Sequence, residues 1–306
     1  MLGLRPKKGH TARIHGVDLH WIEEGSGPAL VLLHGLGDSH QTWSKVVPAL
    51  ARTRRVLVPD VCGHGLSGRP DATYSLDWHA RIFGTWLKEL EIEEADVVGH
   101  SYGGGIAQWM LLDPHHRVRK LGLVSAGGLG REVTLALRLA AMPFVVEHMG
   151  QPFMATGTFI ALQAAIRGIY STRELVRLSL TNGRRGTARA FARSVRDVID
   201  LSGQRKGFYH YAHELRRVPP IGLFWGEDDP VIPISHAIDA ARLIEGASFA
   251  RFAKCGHYPH RERPGTFVDA LEEFLGREAT STDSPWSRKS ENAPASSNDF
   301  QASFAL

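Results

Sequence analysis

Apolar residues along the chain fall into two alternating patterns. Ala29-Leu30-Val31-Leu32-Leu33 is an unbroken apolar run of the kind that forms a strand buried on both faces. Comparable runs lie at 55–59, 95–98, 121–124 and 221–225, with a more mixed one at 248–253. Between them, apolar positions recur at helical spacing over about 41–50, 76–90, 104–112, 235–244 and 266–275. Two β-rich runs, 12–15 and 17–23, meet at Gly16 and predict a hairpin on the antiparallel edge of the sheet. This alternation predicts an α/β fold with a mostly parallel sheet and helices on both faces.

Two stretches break the rhythm. Residues 131–217 carry successive amphipathic segments punctuated by Pro143, Pro152, Gly168, Gly183 and Gly203 and no convincing strand. They predict an all-helical cap inserted after the sixth strand, over the sheet edge where open α/β sheets bind ligands. Residues 277–306 are rich in Ser, Thr, Asn, Pro and Ala without apolar period and predict a disordered tail. The core is then expected at 10–130 and 218–276.

Composition narrows the class. With 43% hydrophobic and 22% charged residues, the 306-residue chain has the material for one large core. The first ten residues have basic positions but no apolar segment behind them, so no secretory signal is expected. The apolar stretch 135–149 is broken by Arg138, Pro143 and Glu147, which argues against a membrane span. Two cysteines, Cys62 and Cys255, make no disulfide framework and are expected as free thiols of a cytoplasmic protein. The net charge is +4, yet residues 131–217 hold fourteen Lys and Arg against six Asp and Glu. No aromatic interleaving or nucleic-acid module accompanies them, so nucleic acid is not the expected partner.

The candidate chemistry centres on Val97-Val98-Gly99-His100-Ser101-Tyr102-Gly103. A strand that turns directly into a helix strains the residue at the junction, and Gly99 and Gly103 supply the room that turn needs. Ser101 is thereby lifted off the sheet end, and the Tyr102 N–H sits at a helix N-terminus, where negative charge is favoured. A serine nucleophile requires a base, and the base requires a carboxylate. Glu227-Asp228-Asp229 follows one late strand, and Gly256-His257 follows the last. Asp229 is the expected acid, with Asp228 as the alternative. Of sixteen histidines, His257 has the expected position, with His260 the nearby alternative. His34-Gly35-Leu36-Gly37 follows the buried run 29–33 and would supply the second oxyanion donor from Leu36. His34, Gly35 and His100 are supporting residues. No ligand-spaced metal cluster is apparent, and no metal or cofactor is expected.

In these motifs the chain resembles the α/β-hydrolase superfamily over about residues 10–276. The resemblance rests on His34-Gly35, on Asp60 with Gly63-His64-Gly65-Leu66-Ser67, on the Ser101 elbow, and on Gly256-His257 with Glu262-Arg263-Pro264. It implies an eight-stranded sheet and aligns the family's acid with Asp229. No carboxylate occupies the alternative acid position at Ser125-Ala126-Gly127-Gly128. Cys62 departs from the family, where Arg or another polar residue often precedes Gly-His-Gly.

Serine rather than aspartate at the elbow disfavours the dehalogenase and epoxide-hydrolase branches. The expectation is a serine hydrolase of carboxylic esters, of the carboxylesterase or lipase-like kind, acting on a small-molecule substrate. The basic cap suits an anionic or carrier-borne acyl group. Two alternatives stand beside it: a C–C bond hydrolase of the meta-cleavage-product type, and a ligand receptor on the same fold. Substrate identity and oligomeric state are not legible.

Overall fold

The computed structural model describes residues 8–113, 117–142, 145–157, 169–208, 212, 215, 217–277 and 282–283. Its centre is an eight-stranded sheet built from β1 (Lys8–Ile14), β2 (Val17–Glu24), β3 (Ala29–Leu33), β4 (Arg55–Pro59), β5 (Ala95–His100), β6 (Val118–Val124), β10 (Ile221–Gly226) and β11 (Ser248–Phe252). The spatial order is β1-β2-β4-β3-β5-β6-β10-β11. The pairs β1/β2 and β2/β4 are antiparallel, and from β4 onward every pairing is parallel. The fold is the α/β-hydrolase fold that the sequence motifs imply.

Alternation along each strand divides its side chains between two cores. On β3, Val31 and Leu33 join the core beneath α2 (Leu76–Glu89) and α3 (Tyr102–Met110), with Phe83, Trp86 and Ile106. Leu30 and Leu32 face the other way, toward Trp43, Phe267, Leu271 and Phe274. The last three of these lie on the C-terminal helix Pro264–Gly276. These four side chains of β3 are fully buried, each contributing about 1.5–3 kcal/mol, which explains why the run tolerates no polar position. The run at β11 reads as mixed because that strand pairs only with β10 and leaves Arg251 exposed.

Between β6 and β10 the described residues are mainly helical, with α4 (Leu135–Ala140), α5 (Thr172–Asn182) and α6 (Thr187–Val198). Helix α5 opens on a capping box between Ser171 and Glu174. The stretch also holds a ribbon that the helical periodicity did not reveal, β7 (Ile199–Asp200) against β8 (Gly203–Gln204). Two residues per strand are too few to show a period of two. Asn182 reaches from α5 to the core, its Nδ2 donating to the Gly37 carbonyl at 2.7 Å. Of the tail expected over 277–306, Thr282–Asp283 forms a strand, β12, against β9 (Arg217–Val218). Residues 278–281 and 284–306 lie outside the described residues, as do Pro143 and Gly168. Among the described residues, no helix is long and apolar enough to cross a membrane.

Candidate active site

Ser101 stands between β5 and α3 with φ 53° and ψ −117°, a conformation that side-chain-bearing residues rarely adopt. The surrounding backbone holds it there. Its N–H donates to the Val124 carbonyl at 3.0 Å, and its own carbonyl accepts from Gly104 at 3.0 Å and Gly127 at 3.1 Å. The flanking glycines are required by contact. A Cβ on Gly99 would lie 2.3 Å from the Gly103 carbonyl oxygen, and one on Gly103 would lie 2.6 Å from the carbonyl oxygens of Leu33 and His34.

Asp229 and His257 meet after β10 and β11. His257 Nδ1 donates to Asp229 Oδ2 at 2.8 Å, with Oδ1 at 3.1 Å. Asp229 Oδ1 also accepts the N–H groups of Val231 at 2.8 Å and Ile232 at 3.0 Å. Burial opposes ionisation of Asp229, but the imidazole and these two amides outweigh it and hold the carboxyl below its ordinary range. The alternatives separate clearly. Asp228 is exposed, and His260 is engaged elsewhere, with Nε2 2.9 Å from Thr42 Oγ1 and its ring 4.2 Å from that of Trp43.

The supporting residues order the loops around this pair. His34 Nδ1 donates to the Gly35 carbonyl at 2.8 Å and Nε2 accepts the Val61 N–H at 2.9 Å, which fixes one neutral tautomer and ties the Leu36 loop to the segment after β4. Burial pushes the His34 imidazole below its ordinary range. Gly35 packs close to the elbow, where an added Cβ would lie 3.1 Å from Ser101 Cβ. His100 Nε2 donates to the His257 carbonyl at 2.8 Å, and its ring lies 4.8 Å from that of His257. Burial keeps His100 neutral, well below its ordinary range.

Leu36, Ser101 and Tyr102 line one cavity of about 40 Å³. Its other walls are largely apolar, including Leu76, Trp109, Val133 and Ile232. The Tyr102 N–H opens α3, where amides have no carbonyl one turn behind them. A hydroxyl at this junction, a His–Asp pair and main-chain donors are the groups that nucleophilic acyl transfer uses.

Three residues gain roles that sequence reasoning did not assign. Glu262, read only as part of a motif, accepts the Gly256 N–H at 2.8 Å and the Tyr258 N–H at 3.0 Å, clamping both sides of His257. Gln204 and Lys206 reach the cavity from the region of the short ribbon. Gln204 Oε1 accepts the Gly128 N–H at 2.7 Å, and Lys206 pairs with Asp197 at 2.5 Å. The Glu262 signal was available in its spacing from Gly256. The other two depend on how the helical region folds back, which local periodicity does not encode.

Residues 28–264 match the family described as alpha/beta hydrolase fold, and the chain belongs to that family. It is therefore grouped with hydrolases. Among its relatives, the 2-hydroxymuconate semialdehyde hydrolase of Pseudomonas sp. strain CF600 is 30% identical over 278 residues, covering 88% of this chain and 94% of that protein. The soluble epoxide hydrolase of Corynebacterium sp. strain C12 is 29% identical over 284 residues, 87% of this chain and 96% of that one. A solved serine hydrolase involved in carbazole degradation superimposes with a TM-score of 0.73 at 23% identity, covering 89% of this chain and 99% of that one.

Proposed function

We propose that the protein is a serine hydrolase that cleaves carboxylic esters through an acyl-enzyme on Ser101. The observation that carries this reading is the 2.8 Å contact between His257 Nδ1 and Asp229, which leaves Nε2 as the basic nitrogen, combined with a serine at the strained strand–helix junction. Ser101 Oγ attacks the ester carbonyl carbon while its proton passes to His257 Nε2. Asp229 fixes the tautomer and stabilises the imidazolium. The Leu36 and Tyr102 N–H groups hold the developing oxyanion. His257 then protonates the leaving alcohol, and water repeats the sequence on the acyl-enzyme to release the acid. Glu262 and His100 position the histidine.

Residues 131–217 act as the lid in this reading. The cavity takes Val133, Leu137, Val198 and Ile199 of this stretch into its walls. Its apolar walls suit a medium-sized acyl or alcohol group. The buried thiols of Cys62 and Cys255 fit a reducing compartment, the cytoplasm.

A panel of short p-nitrophenyl esters, assayed beside Ser101→Ala, tests the proposal. Turnover that survives undiminished in the variant defeats it. One observation favours C–C hydrolysis as a second reading: beside Gln204, Lys206 with its partner Asp197 brings a cation to a largely apolar cavity wall, which suits an anionic dienoate. The relative from Pseudomonas sp. strain CF600 bears the name 2-hydroxymuconate semialdehyde hydrolase. Enzyme-dependent loss of a dienoate's visible absorbance, without ester turnover, selects that reading.

A further inference from the structure

A second cluster of polar side chains lies away from Ser101, around Asp60. This residue follows β4 and is fully buried. Two backbone amides fix its carboxylate, with His40 N–H on Oδ1 at 2.7 Å and Leu66 N–H on Oδ2 at 2.8 Å. Two imidazoles face the same group. His20 Nδ1, from β2, lies 3.0 Å from Oδ2, and His40 Nδ1 lies 3.0 Å from each oxygen. His40 opens the 3-10 turn His40–Trp43 that follows the Leu36 loop. Among the described residues, no Lys or Arg is in ion-pair contact with Asp60. His34 approaches to 3.9 Å, but its Nε2 is committed to the Val61 amide.

We propose that His20, His40 and Asp60 form a binding site for a divalent transition metal of the zinc class. The three ligand atoms all lie within 4.8 Å of one another. Ligands about 2.0–2.2 Å from a tetrahedral zinc ion are separated by about 3.3–3.6 Å, so small rotations of the two imidazoles admit the ion once each gives up the Nδ1 proton it now donates to Asp60, the ring carrying its proton on Nε2 instead. Two nitrogens and one carboxylate oxygen suit zinc, cobalt and copper rather than magnesium or calcium. The backbone amides already orient the carboxylate, as outer partners do in metal sites. Access is available too: the His20 and His40 side chains are 12% and 15% exposed. Both line an open cleft of about 410 Å³, from which water completes the coordination. The ion would tie the edge hairpin, the segment after β4 and the turn behind the Leu36 loop at one point. None of these three residues has a role in the acyl-transfer proposal, so the two stand or fall separately.

The test uses full-length protein stripped with chelator. Zinc titration followed by calorimetry is expected to give one equivalent bound. Cobalt is expected to give visible bands characteristic of mixed nitrogen and oxygen ligation. His20→Gln and His40→Ala should each weaken binding at least about tenfold, and zinc should raise the Tm of the wild type but not of the double variant. Wild-type protein that shows no saturable zinc binding, or no cobalt band, overturns the proposal without recourse to any variant. Equal affinity in a folded double variant also overturns it.

Discussion

Asp229→Asn exchanges one oxygen for an amide and leaves the shape of the pair almost unchanged. The Asn Oδ1 can keep the Val231 and Ile232 N–H bonds that now measure 2.8 and 3.0 Å. Its NH2 then faces His257 Nδ1, where the carboxylate oxygen now accepts at 2.8 Å. The imidazole answers by moving its proton to Nε2, the nitrogen that must take the Ser101 proton. The charge that stabilises the imidazolium disappears as well. At a charge separation of about 4 Å and an effective dielectric of about 20, that loss is about 4 kcal/mol. With the tautomer penalty added, kcat should fall by about 10³- to 10⁴-fold with KM little changed. The assay is steady-state hydrolysis of a p-nitrophenyl ester, beside thermal melts that establish a folded variant. A folded variant whose kcat stays within about tenfold of wild type would refute the assignment of Asp229.

Three further outcomes follow from other parts of the molecule. Gly103→Ala puts a methyl group 2.6 Å from the Leu33 and His34 carbonyl oxygens and should destabilise the protein by about 3 kcal/mol or more, read as a denaturation midpoint; an unchanged midpoint contradicts it. Glu262→Ala leaves the Gly256 and Tyr258 amides unpaired and frees the His257 loop, so kcat should drop about 10- to 100-fold while KM stays within threefold or so; a pure KM effect argues against the clamp. Burial holds the His260 imidazole well below its ordinary range, so the unfolded chain takes up this proton first as pH falls. Stability is therefore full above about pH 6.5 and declines below it by up to about 1.4 kcal/mol per pH unit; His260→Gln should make the decline between pH 7 and 5 shallower, and identical slopes would rule this out.

The parts of the fold legible in the sequence are those with strong local causes. The runs at β3 and β10 lack polar positions because both faces of those strands are covered, while β4 and β5 admit Arg55 and Asp96 near their starts only as members of ion pairs with Glu23 and with Arg54 and Arg119. The elbow is readable because Gly99 and Gly103 answer a steric demand made within four residues of chain. Asp229 could be preferred over Asp228 by alignment with the family acid, and the structure separates them by burial, since only Asp229 is enclosed. Clusters assembled from distant elements were not legible. His20, His40 and Asp60 come from a strand, a turn and a strand end, spaced by 20 and 20 residues in the chain, a pattern that matches no metal-ligand motif. Lys206 and Gln204 escape for a related reason, because their approach to Ser101 depends on the fold of the helical region.

Acyl transfer by this protein requires Ser101 to form a covalent bond to the acyl group. Rapid quenching during turnover of a slowly deacylating p-nitrophenyl ester, followed by peptide mass spectrometry, measures that bond directly. The expected result is an acyl mass increment on the peptide bearing Ser101, formed with the burst of nitrophenol and absent from Ser101→Ala. An increment on another residue, or sustained turnover by the Ser101→Ala protein, would contradict it.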